Sequence, residues 1–156
     1  MIFDSCIWVG LAAGEIDPEA VTGVAGKTPV FASVISLGEL SFGVEASSNP
    51  VQRAVRAAYF RKVNARPALT ISKHTAAAFG LLAAAVKQSG RSPRPRYNDL
   101  WIAAQAIEHN YVLLTVNPDD FSGLPGLRLA TVPIIPPATA PRGGEPAPPL
   151  PGRASP

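Results

Sequence analysis

Short apolar runs along the chain alternate with longer stretches in which apolar residues recur every three or four positions, which predicts a succession of strands and helices. Met1 to Phe3 is an apolar run that ends on Asp4, and Ser5 to Leu11 can begin a short helix. Asp17 to Lys27 is polar and contains glycine, as a short helix within a loop would be. Val30 to Ala32 reads as a second strand, and Val34 to Ala46 follows with Leu37, Leu40 and Val44 at helical spacing. Val51 to Val63 predicts a helix with Arg53, Arg56, Arg61 and Lys62 on its polar side. Ala68 to Ile71 is a short strand, after which Ser72 can cap a helix running through Leu81, Leu82 and Val86 to a stop at Gly90. Asn98 is placed to cap a helix from Asp99 to Glu108, with Asn110 as its left-handed stop. Tyr111 to Val116 is continuously apolar, as strands buried on both faces are, and Leu127 to Val132 supplies the last strand. Short apolar strands separated by helices predict a three-layer α/β/α sandwich with a mainly parallel central sheet. In such sheets a site lies at the carboxyl ends of the strands.

Composition changes the picture at one place. Nine of the 17 prolines fall between Pro133 and Pro156. Proline lacks an amide donor and has a fixed φ, so such a run continues neither helix nor sheet. The expectation is one folded domain over residues 1–134 and a proline-rich tail over 135–156, disordered or polyproline II, in which Pro146 to Pro149 has PxxP spacing. At 47% hydrophobic and 16% charged, the rest is built to fold. The net charge of +3 suits a polyanionic partner without requiring one. The single cysteine, Cys6, leaves no internal disulfide and no Cys-rich metal site, and a reducing cytoplasm is the expected compartment. The opening residues lack the basic stretch of a signal peptide, and no run approaches the roughly 18–20 apolar residues needed to span a bilayer.

The candidate chemistry is carboxylate chemistry. Asp4 ends the first strand, Glu39 lies one turn into the helix after the second, Asp99 opens a late helix, and Asn117, Asp119 and Asp120 follow the Tyr111–Val116 strand. Carboxylates gathered together repel unless a cation neutralises them. Hard oxygen ligands without His or Cys suit Mg²⁺ or Mn²⁺, which can activate water for in-line attack on a phosphodiester. Each acid alone also has a structural use. Ser36 and Glu39 fit a capping box, Asp99 complements a helix dipole, and Asp119 and Asp120 suit a turn around Pro118. Asp4, an acid at the end of a buried strand, is the hardest to account for structurally. Cys6 reads as a small buried hydrophobe, His74 and His109 as helix-end residues, and Trp8 and Trp101 as part of the core or as stacking faces for a base.

Four segments together resemble the PIN-domain toxins of the VapC type. Met1 to Ile7 is similar to their opening strand with its Asp followed by Ser or Thr. Ser33 to Gly43 resembles their second motif, a Glu in an Ile/Leu-rich helix with a Gly four residues on. Asn98 to Ala106 resembles the third and Leu114 to Leu124 the fourth. The resemblance covers about residues 1–132, in order, and leaves out the proline-rich tail. It implies an endoribonuclease that acts as the toxin of a VapBC type II toxin–antitoxin pair, dependent on Mg²⁺ with Mn²⁺ as a substitute. It further implies RNA as substrate, a VapB-type antitoxin as partner and a homodimer. Carried over residue by residue, it makes Asp4, Glu39 and Asp99 the catalytic metal ligands. The family's fourth acidic position falls on Asn117, which puts a second metal in question and leaves Asp119 or Asp120 to supply the charge. Arg94 and Arg96 are the candidates for RNA contact.

Two other readings compete. A non-catalytic nucleic-acid-binding α/β module would use Arg53, Arg56, Arg94 and Arg96 on phosphates. A Mg²⁺-dependent phosphatase or receiver-like domain would use Asp4 as nucleophile, but the phosphatase pattern wants an acid where Cys6 stands. The receiver pattern wants paired acids and a late lysine that are not evident.

Overall fold

The computed structural model describes residues 1–135, so the reading of 136–156 as a disordered or polyproline II tail lies outside the described residues. Among the described residues five short strands and six helices follow in the order β1 Ile2–Phe3, α1 Ser5–Ala13, α2 Pro18–Ala25, β2 Ala32–Ser33, α3 Val34–Glu45, α4 Pro50–Asn64, β3 Ala68–Leu69, α5 Lys73–Gln88, α6 Tyr97–Glu108, β4 Val112–Thr115 and β5 Arg128–Thr131. Single 3₁₀ turns at Arg94–Arg96 and Pro118–Phe121 precede α6 and follow β4.

All the strand pairs are parallel. β4 lies between β1 and β5, with Phe3 opposite Leu114 and Thr115 opposite Thr131. β2 pairs β3 and joins β1 through one parallel bridge, Ile2 to Phe31, which gives the order β3-β2-β1-β4-β5. β1 and β4 are therefore central, and the connections leave them in opposite directions. Sheets of this kind place a site in the crevice at the carboxyl ends of such strands.

Strand alternation sorts the two cores. Phe3 and Leu114 point into a cluster with Ile7, Trp8, Ile16 and Val63 under α1, α2 and α4. Their neighbours Ile2 and Leu113 point the other way, to Leu82, Val86, Leu100 and Ile102 of α5 and α6. The expected three layers follow from this two-sided burial.

Helix ends follow local chemistry, with two departures from the sequence reading. Asp4, Asp17, Ser33, Asn49 and Ser72 each cap a helix with the side chain, and Gly14, Gly90 and Asn110 take the positive φ of helix stops. Ser36 and Glu39 do not form a capping box: Ser33 is the cap, so Ser36 already lies within α3 and Glu39 one turn deeper, free to face another element. Ser72 and Thr75 form the capping box instead. Asn98 is likewise not a cap. The 3₁₀ turn at Arg94–Arg96 runs straight into α6, which starts at Tyr97, where the Tyr97 ring packs edge-on against Phe79.

Candidate active site at the carboxyl ends of the strands

Asp4 is delivered by β1 and is buried, at 5% exposure. A buried carboxylate needs donors, and three surround it. Oδ1 accepts from the Ser5 amide at 2.7 Å. Oδ2 accepts from Thr115 Oγ1 at 2.8 Å and from Cys6 Sγ at 3.0 Å. Thr115 closes β4, so the hydrogen bond ties together the ends of the two central strands. Its hydroxyl also accepts from the Asn117 amide at 3.1 Å, which sets the turn out of the sheet.

Glu39 reaches the same crevice from α3. Its Oε2 accepts from Ser5 Oγ, and its Oε1 accepts from Asn98 Nδ2 at 2.7 Å. Ser5 Oγ lies 2.9 Å from the buried Ser36 Oγ. Asp99 sits beside Asn98 in the first turn of α6. Its carboxyl is pushed up to about 6, first by burial and then by the negative charges of Asp4, Asp120 and Glu39, with Arg96 opposing. Asp4 and Glu39, far from Asp99 in sequence, thus act on it through space. Asp120 joins them: Arg96 donates to its carboxylate at 2.7 Å and to its backbone carbonyl at 2.8 Å. Asn117 and Asp119 are exposed in the turn after β4, and Arg94 is exposed on the turn before α6. Arg96 thus holds Asp120 as well as standing at the mouth.

Other candidates play lesser parts. The Cys6 thiol is pushed up to about 12, chiefly by burial and then by Asp4, so it stays protonated and is no nucleophile. It is half-buried and hydrogen-bonded to the site, more than a bland hydrophobe. Trp8 is buried with Arg66 over its ring at 5.6 Å, and the Trp101 face is stacked on Phe79 at 4.1 Å. His74 lies in the first turn of α5 and His109 caps the end of α6. Sequence pattern alone does not single out Ser5, Asn98 or Thr115 as site residues. The one available signal is Thr115, a polar residue ending an otherwise apolar buried strand.

Among the described residues no three His, Cys, Asp or Glu side chains are already drawn into a finished metal cage. The donors present are nonetheless of one chemical kind, hard oxygens, and burial together with the negative field of Asp4, Asp120 and Glu39 disfavours ionisation of Asp99. A divalent cation relieves that field, so the donor set fits such an ion.

The fold agrees with what the chain is similar to. The PIN domain family model matches residues 1–127. The chain therefore belongs to the PIN-domain family. Among named relatives, Ribonuclease VapC5 of Mycobacterium tuberculosis is 32% identical over 134 residues, covering 86% of this chain and 93% of that protein. Ribonuclease VapC4 of the same organism is 29% identical over 129 residues, covering 83% and 94%. The solved structure of VapBC2 from Rickettsia felis, bound to a DNA fragment from their promoter, superposes with a TM-score of 0.70 at 25% identity, covering 85% of this chain and all of that chain.

Proposed function

We propose that this protein is a VapC-type endoribonuclease, the toxin of a VapBC pair, which hydrolyses RNA phosphodiester bonds with a divalent ion, Mg²⁺ or Mn²⁺ in its place. Asp4, Glu39 and Asp99 hold the ion, with Asp120 adding charge at the position where Asn117 lacks it. The observation that carries this reading is that Glu39 is hydrogen-bonded both to Ser5, next to Asp4, and to Asn98, next to Asp99, which brings acids of three distant segments to one place. When bound, the ion supplies charge neutralisation and activation of water for attack on phosphorus. The chain's own residues do the placing. Thr115 and the Ser5 amide hold the Asp4 oxygens, Ser5 Oγ and Asn98 hold those of Glu39, and Arg96 holds Asp120 at the mouth. Arg94, exposed on the turn before α6, meets an RNA phosphate.

The binding-module reading is weakened by how its arginines are used. Arg53 pairs with Glu45, Arg56 donates to the Gly43 carbonyl at 2.8 Å, and Arg96 is paired with Asp120. A VapB-type antitoxin and a second copy of the chain are the partners this reading implies. Beside Glu39, an apolar groove of about 460 Å³ lies between α1, α3 and α4, lined by Val9, Leu40, Val51 and Val55. A segment of the antitoxin with apolar side chains and one Arg or Lys fits it, the cation reaching Asp4 and Asp99. Inhibition that persists at full strength after every Arg and Lys of that segment is changed excludes this contact. Among the described residues no helix is long and apolar enough to cross a membrane.

The test is incubation of the purified chain with total RNA, with Mg²⁺ and with a chelator. Internal cuts that require Mg²⁺ are expected. Absence of cutting under all conditions overturns the nuclease reading, and undiminished cutting in chelator overturns its metal dependence.

A further inference from the structure

Glu39 differs from the two aspartates in how it is held. Asp4 is buried at a strand end and Asp99 lies in the first turn of a helix, so short side chains on rigid elements fix both. Glu39 projects from the second turn of α3 with a longer side chain and an extra rotatable bond. Repulsion from Asp4 and Asp99 favours rotamers that swing its carboxylate away. Two donors oppose that: Ser5 Oγ on one oxygen and Asn98 Nδ2, at 2.7 Å, on the other. Each donor adjoins one of the aspartates in sequence, Ser5 after Asp4 and Asn98 before Asp99, so Glu39 is tethered to both elements that carry them.

Asn98 brings nothing to its own helix that would explain its presence. It is not a cap, since α6 begins one residue earlier, and Asn is a poorer helix former than Ala. Its side chain is exposed, where an amide has water as an alternative partner. An Asp at this position would suit the helix dipole better but would face the Glu39 carboxylate with a like charge. A Lys would neutralise Glu39. A neutral amide donates a hydrogen bond and leaves the negative charge for a cation.

We propose that Asn98 is a positioning residue: its amide holds the Glu39 carboxylate in the crevice facing Asp4 and Asp99, and so completes the divalent-cation site. This rests on the reading of Glu39 as a metal ligand. The test is a double-mutant cycle on the full chain with Asn98→Ala, Glu39→Gln and the double variant. It is read by Mn²⁺ binding calorimetry, metal-free melting and RNA cleavage resolved into kcat and KM.

Asn98→Ala is expected to weaken Mn²⁺ binding about 10- to 100-fold, with unchanged metal-free melting and an unchanged KM for RNA, because partners that orient a ligand carry losses of that order. Asn98→Gln, which keeps the amide, should lose less than Asn98→Ala. In the Glu39→Gln background, Asn98→Ala should change Mn²⁺ affinity by less than about twofold, because the carboxylate it orients is gone. If Asn98→Ala binds Mn²⁺ as wild type while Glu39→Gln is impaired, the positioning role is wrong and the ligand reading stands. An equal loss in both backgrounds also overturns it, since Asn98 would then act independently of Glu39. If Glu39→Gln itself binds Mn²⁺ as wild type, the ligand reading falls and the positioning role falls with it.

Discussion

Two carboxylates on the same helix meet opposite surroundings at its two ends. Glu108, near the carboxyl end of α6, accepts from Ser72 Oγ at 2.5 Å and from Thr75 Oγ1. Those hydrogen bonds draw its carboxyl below the usual range, with burial opposing and the nearby His109 and His74 assisting. Asp99, nine residues earlier in the sequence, is pushed up to about 6 by burial and by three other acids. One end of α6 presents an anion whose demands are met by hydroxyls, and it clamps the start of α5. The other presents an anion whose demands are left open. Glu108 has only neutral and basic groups acting on it besides burial, whereas Asp99 is buried among other acids, a setting that favours a cation or a proton.

The sharpest way to break the comparison is at the crowded end. Glu39→Gln keeps shape but removes one negative charge, so RNA cleavage in Mg²⁺ should fall by at least about a hundredfold with little change in melting. Full activity in that variant would make Glu39 a structural residue like Glu108. Thr115→Val comes next. It leaves the buried Asp4 one donor short, at a cost of about 1–3 kcal/mol, and loosens the carboxylate it orients. A drop of several degrees in melting and roughly a tenfold loss of cleavage are expected. Wild-type melting would show that Ser5 and Cys6 suffice.

The satisfied end should behave oppositely. Glu108→Gln should lower the melting temperature at neutral pH by roughly 2–6 °C and leave cleavage rates unchanged. Because the folded carboxyl of Glu108 lies below its ordinary 4.5, its contribution is present above that pH and fades as pH falls. The variant and wild type should therefore converge in melting at acid pH.

The smallest effect has the opposite sign. Asp99 binds its proton more tightly folded, near 6, than unfolded, near 3.8, so metal-free wild type should lose stability as pH rises across that window. Asp99→Asn removes this loss. Without metal it should melt at the same temperature as wild type or higher above pH 6, and it should gain less from added Mg²⁺. A melting difference that does not change between pH 4 and pH 7 would contradict the crowding.

How much of this was legible in the sequence depends on the range of each interaction. β4 reads clearly because Leu113, Leu114 and Thr115 are buried on both faces, whereas β2 and β3 are two residues each and leave little periodic signal. The sheet order hangs on one bridge at Phe31, which no local pattern encodes. Ser36 with Glu39 and Asn98 with Asp99 both look like helix starts, because cap chemistry is a local pattern. Only the folded chain shows that Ser33 and the Arg94–Arg96 turn set those boundaries instead. The hydrogen bonds that turn Glu39 toward the site span 34 and 59 residues. Composition and spacing could nominate Asp4, Glu39 and Asp99 as hard-ion ligands. The resemblance to PIN-domain toxins grouped them, and the fold supplies the donors that hold Asp4 and Glu39.

The most direct test of the metal-nuclease mechanism is the rate of RNA cleavage by Asp99→Asn beside wild type at saturating Mg²⁺. Asn keeps the size of the side chain and is compatible with the first turn of α6, so loss of the carboxylate charge is the main change. A fall of at least about a hundredfold is expected, since the ion and the water it activates supply several kcal/mol of the rate. Cleavage as fast as wild type would make Asp99 a helix-start acid and contradict the mechanism.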